Sequence, residues 1–176
     1  MNLLAQDLQS TDSSYRLIPL TRGQFSKVDA ADYEWLMQWK WHAHWDSRAK
    51  GFKARRFNRV DGLQSGVYMH RQIVDATTRE VEVDHRNHDT LDNQRGNLRK
   101  ATRTQNNCNQ RVRSDNTSGH KGVSWRKRES KWYVQINVGG KRKAIGRFRE
   151  LGDAISAYDK AASEIHGEFF CKEKVA

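Results

Sequence analysis

One stretch decides the fold of the middle of this chain: residues 83–106 read VDHRNHDTLDNQRGNLRKATRTQN. The stretch continues a short β-branched run, Val81-Glu82-Val83, which predicts a strand that ends in Asp84-His85. A polar loop of Asn, Asp, His and Arg residues leads to Asn97-Leu98-Arg99-Lys100-Ala101, which we interpret as a second strand. The pattern therefore predicts two short strands that flank a polar loop.

A helix is predicted directly after the second strand. Thr102 and Gln105 have the spacing of a capping box, with threonine at the N-cap and glutamine three residues later. The helix should therefore begin at Thr102 and carry Asn106 in its first turns. Two strands that flank a loop and lead into a helix bring Asp84, His85 and Asn106 to one place.

These three side chains have the chemistry of a metal-dependent hydrolase. Asp84 and the amide of Asn106 supply the oxygen ligands that a hard cation such as Mg²⁺ (or Mn²⁺) prefers, and phosphate oxygens and waters can fill the other positions. His85 titrates near neutral pH, so it can accept a proton from an attacking water. The sequence therefore predicts a metal site beside a general base.

Residues 83–106 resemble the HNH nuclease motif of phage and intron homing endonucleases, which have the ββα-metal fold. The preceding Tyr68-Met69-His70-Arg71-Gln72-Ile73-Val74 is similar to the helix that those enzymes place before the motif. The resemblance covers Val67 to Asn107, and it rests on the joint spacing of the motif residues rather than on one histidine.

The resemblance implies roles for four residues of this chain. Asp84 and Asn106 would be metal ligands, His85 would be the general base, and Asn97 would hold the loop and orient His85. The activity that it implies is metal-dependent hydrolysis of a DNA phosphodiester, of the homing or phage mobile-element type.

Residues 1–66 are predicted to form a small N-terminal α+β region. Residues 15–20 have the pattern of a strand, and residues 29–39 have apolar side chains at helical spacing. Four tryptophans lie close together, and we interpret them as the core of a region that has few other apolar residues. They are Trp35, Trp39, Trp41 and Trp45.

A hairpin is predicted around residues 50–60. Apolar and polar side chains alternate there in places, and Asp61-Gly62 is a turn signal. Arg55, Arg56 and Arg59 of this hairpin are candidate contacts for the phosphates of DNA.

The charge of the chain is unevenly distributed. The chain has 32 Lys and Arg residues against 21 Asp and Glu, and a net charge of +11. Between Arg99 and Arg149, fifteen Lys and Arg residues stand against two acidic ones. A positive field concentrated in one stretch attracts a polyanion, so double-stranded DNA is the expected partner.

Several classes of protein are disfavoured by the sequence. No apolar run approaches the roughly 18 residues of a membrane span, and the N-terminus lacks the pattern of a signal peptide. Cys108 and Cys171 are far apart, which argues against a disulfide framework and a cysteine-based zinc site. We therefore expect no membrane association and a cytoplasmic location, in the host cell if a phage encodes the protein.

Residues 118–170 predict a three-stranded antiparallel sheet packed on one helix. Apolar and polar residues alternate along 132–138, Gly139-Gly140 is a two-residue hairpin turn, and a helix with apolar spacings of 4, 3, 4 and 3 begins at Leu151. Counting outward from the turn pairs Asn137 with Arg142 and Gln135 with Ala144. These four side chains should share the polar face of the sheet.

This region resembles the APETALA/ethylene-response-factor DNA-binding domain of plants, which also accompanies phage nucleases. The resemblance is carried by Gly122-Val123, Lys131-Trp132, Ile145-Gly146-Arg147-Phe148 and Ala157-Tyr158-Asp159-Lys160-Ala161-Ala162.

A polar face of this kind can enter the major groove of DNA. The reader positions that the resemblance implies are Ser124, Arg126, Arg128, Gln135, Asn137, Arg142 and Ala144. Lys121 and Lys141 are predicted phosphate contacts. Ser124, Asn137 and Ala144 stand where several plant domains have Arg or Trp, so the target sequence of the plant domains does not transfer.

We therefore predict an α+β protein made of a ββα-metal HNH module and a three-stranded sheet on one helix. The predicted organisation is an N-terminal region (1–66), a nuclease core (67–110), a linker (111–117), a DNA-binding domain (118–170) and a tail (171–176). The predicted function is a DNA endonuclease directed by its C-terminal domain.

Two alternatives to the endonuclease stay open. A DNA-binding regulator with an idle nuclease fold would be expected to lack a ligand or the base, whereas both are present. An RNA-binding protein would be expected to show several aromatic side chains on the open sheet face, where Tyr133 alone stands. The sequence does not distinguish a nick from a double-strand break, and it favours a monomer only slightly.

Overall fold

The computed structural model describes residues 14–110, 112 and 115–171. The first thirteen residues of the predicted N-terminal region, three residues of the predicted linker and most of the predicted tail lie outside the described residues. Within the described ranges the fold is mixed α+β, with four α-helices and four small antiparallel sheets. The chain divides into two compact units, Met1–Thr102 and Arg103–Ala176.

The first unit contains three antiparallel sheets and two short helices. Its elements are β1 (Tyr15–Pro19), β2 (Phe25–Asp29), α1 (Ala30–Leu36), β3 (His42–Asp46), β4 (Gly51–Val60), β5 (Leu63–Tyr68), α2 (Met69–Ile73), β6 (Glu82–His85) and β7 (Leu98–Ala101). β1 pairs with β2, β6 pairs with β7, and β4 lies between β3 and β5. Their shared apolar core contains Ile18, Val28, Leu36, Trp41 and Met69.

The predicted hairpin and turn of this unit are confirmed, and one tryptophan is placed differently. β4 and β5 pair from Arg55↔Tyr68 to Val60↔Leu63, so Asp61-Gly62 is the turn. Trp41 is buried, and Trp35 and Trp39 pack against the core. The prediction that Trp45 belongs to the core is wrong, because this residue lies near the end of β3 against Phe52 and is 49% exposed.

The loop between β6 and β7 is tied to β2 by backbone hydrogen bonds. The amide of Lys27 donates to the carbonyl of Leu91 at 2.9 Å, and the amide of Asn93 donates to the carbonyl of Lys27 at 2.7 Å. The middle of the long polar loop therefore has a fixed place in the first unit, beside the end of β6.

The second unit is a three-stranded antiparallel sheet covered by one long helix. Its elements are α3 (Arg103–Cys108), β8 (Val123–Arg126), β9 (Lys131–Val138), β10 (Lys141–Phe148), α4 (Leu151–His166) and a 3₁₀ turn (Gly167–Phe169). β9 is the central strand. Val134 and Ile136 of β9 pack against Ala154, Tyr158 and Ala162 of α4 to form a core.

The predicted pairing in this sheet is confirmed. Asn137 lies opposite Arg142, and Gln135 lies opposite Ala144. The pairing follows from the Gly139-Gly140 turn, since both glycines have positive φ, as a tight hairpin turn requires. None of the helices in the described ranges is long and apolar enough to cross a bilayer.

Candidate active site

Asp84 and His85 are the last two residues of strand β6 in the first unit. β7 pairs with this strand so that Asp84 lies opposite Arg99 and His85 lies opposite Leu98. The side chains of Asp84 and His85 are both buried. The strand pairing therefore places a carboxylate and a proton acceptor, adjacent in sequence, at the edge of a protected loop.

The ring of His85 is held by Asn93, a residue of the β6–β7 loop. Nε2 of His85 lies 3.2 Å from Oδ1 of Asn93, and Nδ2 of Asn93 donates to Oγ of Ser26 at 2.7 Å. The side chain of Asn93 has no exposed surface. Because an amide oxygen only accepts, Nε2 of His85 carries the proton, and Nδ1 is the nitrogen that can act as a base.

Burial favours the neutral form of this imidazole. Burial lowers the pKa of His85, and the hydrogen bond with Asn93 acts in the opposite direction. The positive charge of Lys53 lowers this pKa further. The imidazole is therefore in its basic form at neutral pH, which is the state that a general base needs.

Asn97 bridges the two ends of the loop. Its Nδ2 donates to the carbonyl of Asp92 at 2.7 Å, and its Oδ1 accepts from the amide of Asn87 at 3.0 Å. These contacts agree with the predicted loop-holding role. The hydrogen bond that fixes the His85 ring, however, is made by Asn93, which the sequence interpretation missed because nothing in a run of polar loop residues distinguishes the one that becomes buried.

Asp84 forms a buried ion pair with Arg99 of β7. Nε and one terminal nitrogen of the guanidinium lie 2.8 Å and 2.6 Å from Oδ2 of Asp84, and both side chains are 6% exposed. Arg99 was counted in the sequence as part of the basic stretch. The strand register instead makes it the charge partner of the predicted metal ligand.

The predicted metal ligands fall in different units. Asn106 lies on α3 of the second unit, whereas Asp84 belongs to the first. In the described part of the chain, no three His, Cys, Asp or Glu side chains form a group that could hold a metal ion. The donor chemistry still fits Mg²⁺, which binds through one or two carboxylates and otherwise keeps water and phosphate oxygens as ligands.

His70 of α2 packs against His85. Their ring centroids are 5.2 Å apart in an edge-to-face arrangement, and the opposite neighbour of His70 is Tyr68, stacked at 5.5 Å. Burial holds the pKa of His70 well below its usual value. Nδ1 of this ring has no hydrogen-bond partner among the described residues.

The structure separates the three arginines of the predicted hairpin. Alternate residues of a strand point to opposite faces of its sheet, so Arg55 and Arg59 share one face and Arg56 lies on the other. The guanidinium of Arg56 lies 4.5 Å from the ring centroid of Trp39, and its Nε donates to Gln72 at 2.9 Å. Desolvation lowers the pKa of Arg56, which is consistent with a packed position.

In the second unit the predicted reader residues share one sheet face. The strand register places Ser124, Gln135, Asn137, Arg142 and Ala144 on the face that α4 does not cover. Arg126 joins this face, since its guanidinium lies 4.8 Å from the ring centroid of Tyr133.

The other predicted DNA contacts of this unit lie at the edges of the sheet. Arg128 lies in the exposed β8–β9 turn, and Lys141 is exposed at the start of β10. Lys121 differs, because its Nζ donates to the carbonyl of Cys108 at 3.2 Å.

Protein 3.8 of Escherichia phage T7 is 32% identical to this chain over 87 residues, which span 49% of the chain and 71% of Protein 3.8. No protein-family model matches the chain, and no solved structure matches it.

Proposed function

The chain belongs to the family of Protein 3.8 of Escherichia phage T7, and we propose that it is a metal-dependent DNA endonuclease of the HNH type. The observation that carries this proposal is the buried Asp84-His85 pair at the end of β6, with Nε2 of His85 fixed by Asn93. An oxygen ligand and an oriented base on adjacent residues can serve the two needs of phosphodiester hydrolysis, charge stabilisation and water activation.

In this proposal His85 removes a proton from water through Nδ1. The water oxygen forms a bond to phosphorus while the bond from phosphorus to the leaving sugar oxygen breaks, and the leaving oxygen takes up a proton from solvent to become a hydroxyl. Asn93 keeps the ring from turning, because its Oδ1 accepts a hydrogen bond from the Nε2–H group of His85. Asp84 would hold Mg²⁺ (or Mn²⁺), which when bound would offset the negative charge that develops on the phosphate oxygens.

In this proposal the second unit selects the cleavage site. Its uncovered sheet face carries Arg, Gln and Asn side chains, the types that read base edges in the major groove. The chain is strongly basic, with a sequence pI near 9.9. Because the relative is encoded by a phage, we place the activity in the cytoplasm of the host cell.

The proposal is tested by incubating supercoiled plasmid with the protein in Mg²⁺ and in EDTA. We expect nicked or linear product in Mg²⁺ alone. His85→Ala should bind DNA like the wild type and cleave about 10² to 10⁴ times more slowly, the usual contribution of general-base catalysis. Circular dichroism should be the same in EDTA and Mg²⁺. Cleavage by His85→Ala within a few-fold of wild type would exclude His85 as the base.

A second candidate is a DNA-binding regulator whose nuclease fold is idle. The observation that favours it is the ion pair at Asp84, because Arg99 engages Oδ2 of the carboxylate that is the predicted metal ligand. The same plasmid assay separates the two functions. A regulator would shift the plasmid in a gel and leave it supercoiled at every Mg²⁺ and Mn²⁺ concentration.

A further inference from the structure

The β3–β4–β5 sheet has one face that does not pack on the core. Ala43 and Ala54 are buried on the core side. The opposite side, here called the open face, carries His42, His44, Asp46, Lys53, Arg55, Phe57, Arg59 and Tyr68, as the strand register and residue alternation require. The open face combines cations with aromatic rings on a surface that the apolar core does not use.

The open face is continuous with the candidate active site. The ring of His70 contacts His85 on one side and Tyr68 on the other, at centroid distances of 5.2 Å and 5.5 Å. Tyr68 in turn meets His44 at 5.9 Å, and the guanidinium of Arg55 lies 5.5 Å from the Tyr68 ring. An unbroken row of side chains therefore runs from the proposed base onto the sheet.

Two arginines of the open face lie along one strand. Arg55 and Arg59 lie on β4 four residues apart, which is about 13 Å along a strand. Each guanidinium can contact a phosphate of a DNA strand that runs along β4. Lys53 precedes them on β4, and its Nζ forms an ion pair with Oδ2 of Asp46 at 2.7 Å.

The guanidinium of Arg55 is packed in place, yet one of its hydrogen-bond donors has no acceptor among the described residues. Its guanidinium lies between the rings of Phe57 and Tyr68 and directly over Gly66, where any Cβ would collide with it. Nε of Arg55 is buried and has no hydrogen-bond partner in the described part of the chain. A buried donor without a partner is costly, and outward movement of the guanidinium onto a phosphate oxygen would remove this cost.

The hairpin beyond Arg55 leaves apolar side chains in solvent. Phe57 is 51% exposed and Leu63 is 77% exposed, and Gln64, Ser65 and Gly66 of β5 are also exposed. Large apolar side chains that stand among cations are suited to contact the sugars and bases of a nucleic acid. A two-stranded ribbon also has dimensions that a DNA groove admits.

We propose that the open face binds the DNA strand next to the scissile phosphate, with Arg55 and Arg59 on phosphates and Phe57 against a sugar or base. The proposal rests on the proposed endonuclease function and adds a second DNA surface, in the unit that carries His85. The C-terminal sheet would then choose the sequence, while the open face would place the backbone at the base.

The test uses the full-length protein and the variants Phe57→Ala, Arg59→Gln and Arg55→Gln. Phe57 and Arg59 are exposed, so their variants should keep the wild-type melting temperature even if Arg55→Gln does not. Arg79→Gln is the matched control, because it removes one exposed positive charge from a loop outside the sheet. Binding to a fluorescently labelled duplex is measured in EDTA over a range of salt, and single-turnover cleavage is measured in Mg²⁺.

We expect different signatures from the two kinds of variant. Phe57→Ala should weaken binding about 5- to 100-fold without changing its salt dependence, as loss of a stacking contact does. Arg59→Gln and Arg55→Gln should each lower the slope of log affinity against log salt by about 0.9, as loss of one phosphate contact does. Arg79→Gln should bind within about twofold of wild type.

The results distinguish failure of the open-face proposal from failure of the endonuclease proposal. If wild type cleaves and all three variants bind and cleave as it does, the open face is not a DNA surface and the endonuclease stands. If wild type binds DNA without cleaving it and the variants lose binding, the open face stands and the endonuclease does not. Absence of DNA binding by wild type would overturn both.

Discussion

His85 depends on a buried partner for its direction. Nε2 of His85 lies 3.2 Å from Oδ1 of Asn93, and Asn93 is in turn fixed by Ser26 of β2. A ring that is free to rotate would present Nδ1 to water for only part of the time. The precision of the proposed base therefore comes from a loop residue and a strand residue 67 positions apart in sequence.

Two substitutions of Asn93 test this arrangement. Asn93→Ala should leave DNA affinity unchanged and reduce the single-turnover cleavage rate by at least about tenfold, part of the general-base contribution. Asn93→Asp places a negative charge on Nε2 and so raises the pKa of His85. The acidic limb of its pH–rate profile, where the rate rises as the ring loses its proton, should then move to higher pH. An unchanged profile would show that Asn93 does not contact the base during the reaction.

The ion pair between Arg99 and Asp84 is expected to matter for stability because it is buried. Removing one partner of a buried pair leaves an uncompensated charge, which costs about 3–5 kcal/mol. Arg99→Ala should lower the free energy of unfolding by that amount in urea titrations. Arg147→Ala is the control, since Arg147 pairs with Glu129 at 2.7 Å with both side chains exposed (57% and 43%), and exposed pairs contribute about 0–1 kcal/mol. Equal losses in the two variants would contradict the burial argument.

At the scale of elements, the second unit depends on close contact between β8 and α4. Gly122 precedes β8 with a φ of +66°, and a Cβ there would collide with the ring of Tyr158 and the carbonyl of Gln135. The amide of Gln135 also donates to the carbonyl of Gly122 at 2.9 Å. A residue without a side chain is therefore required where the chain enters the sheet.

Two glycine-to-alanine substitutions should change stability in opposite directions. Gly122→Ala should destabilise the second unit by about 1–3 kcal/mol, through overlap with Tyr158 and an unfavourable backbone conformation. Gly152→Ala should stabilise it by about 0.5–1 kcal/mol, because Gly152 lies in α4 with open space around its Cα, and alanine is the better helix former. Thermal melting followed by circular dichroism measures both. A stabilising Gly122→Ala would refute the described packing.

At the scale of the whole molecule, the features that could be predicted from the sequence are those that neighbouring residues determine, such as turns, strand register and the start of a helix. The Gly139-Gly140 turn was sufficient to predict the register of β9 and β10, and a helix does begin directly after Thr102. The contacts of Asp84 with Arg99 and of His85 with Asn93 could not be predicted, because they depend on strand pairing and on burial of one loop residue among many. The same holds for Arg55 and Arg56, which are neighbours in sequence and lie on opposite faces of a sheet.

Division of the chain into two units leads to a prediction about where cutting and site choice lie. The first unit carries Asp84 and His85. The sheet face with the predicted reader residues, here called the reader face, lies in the second unit. A truncation ending near Arg113 keeps both residues and Asn106, so it should still nick plasmid, but weakly and with little site preference. The open face should supply the remaining affinity, since it lies in the retained part.

Single substitutions in the full-length chain should distinguish base readout from phosphate contact in the second unit. Arg142 shares the reader face with Asn137, so Arg142→Ala should relax the preference at one or two base pairs by about 1–3 kcal/mol. Lys141→Ala should weaken binding to all sequences alike and lower the salt dependence, as loss of a phosphate contact does. The measurement is a map of nick sites on one plasmid for the truncated protein, Arg142→Ala and Lys141→Ala, each compared with wild type. If the truncated protein cuts the wild-type sites with wild-type efficiency, sequence choice belongs to the first unit, and Arg55 and Arg59 become the residues that make it.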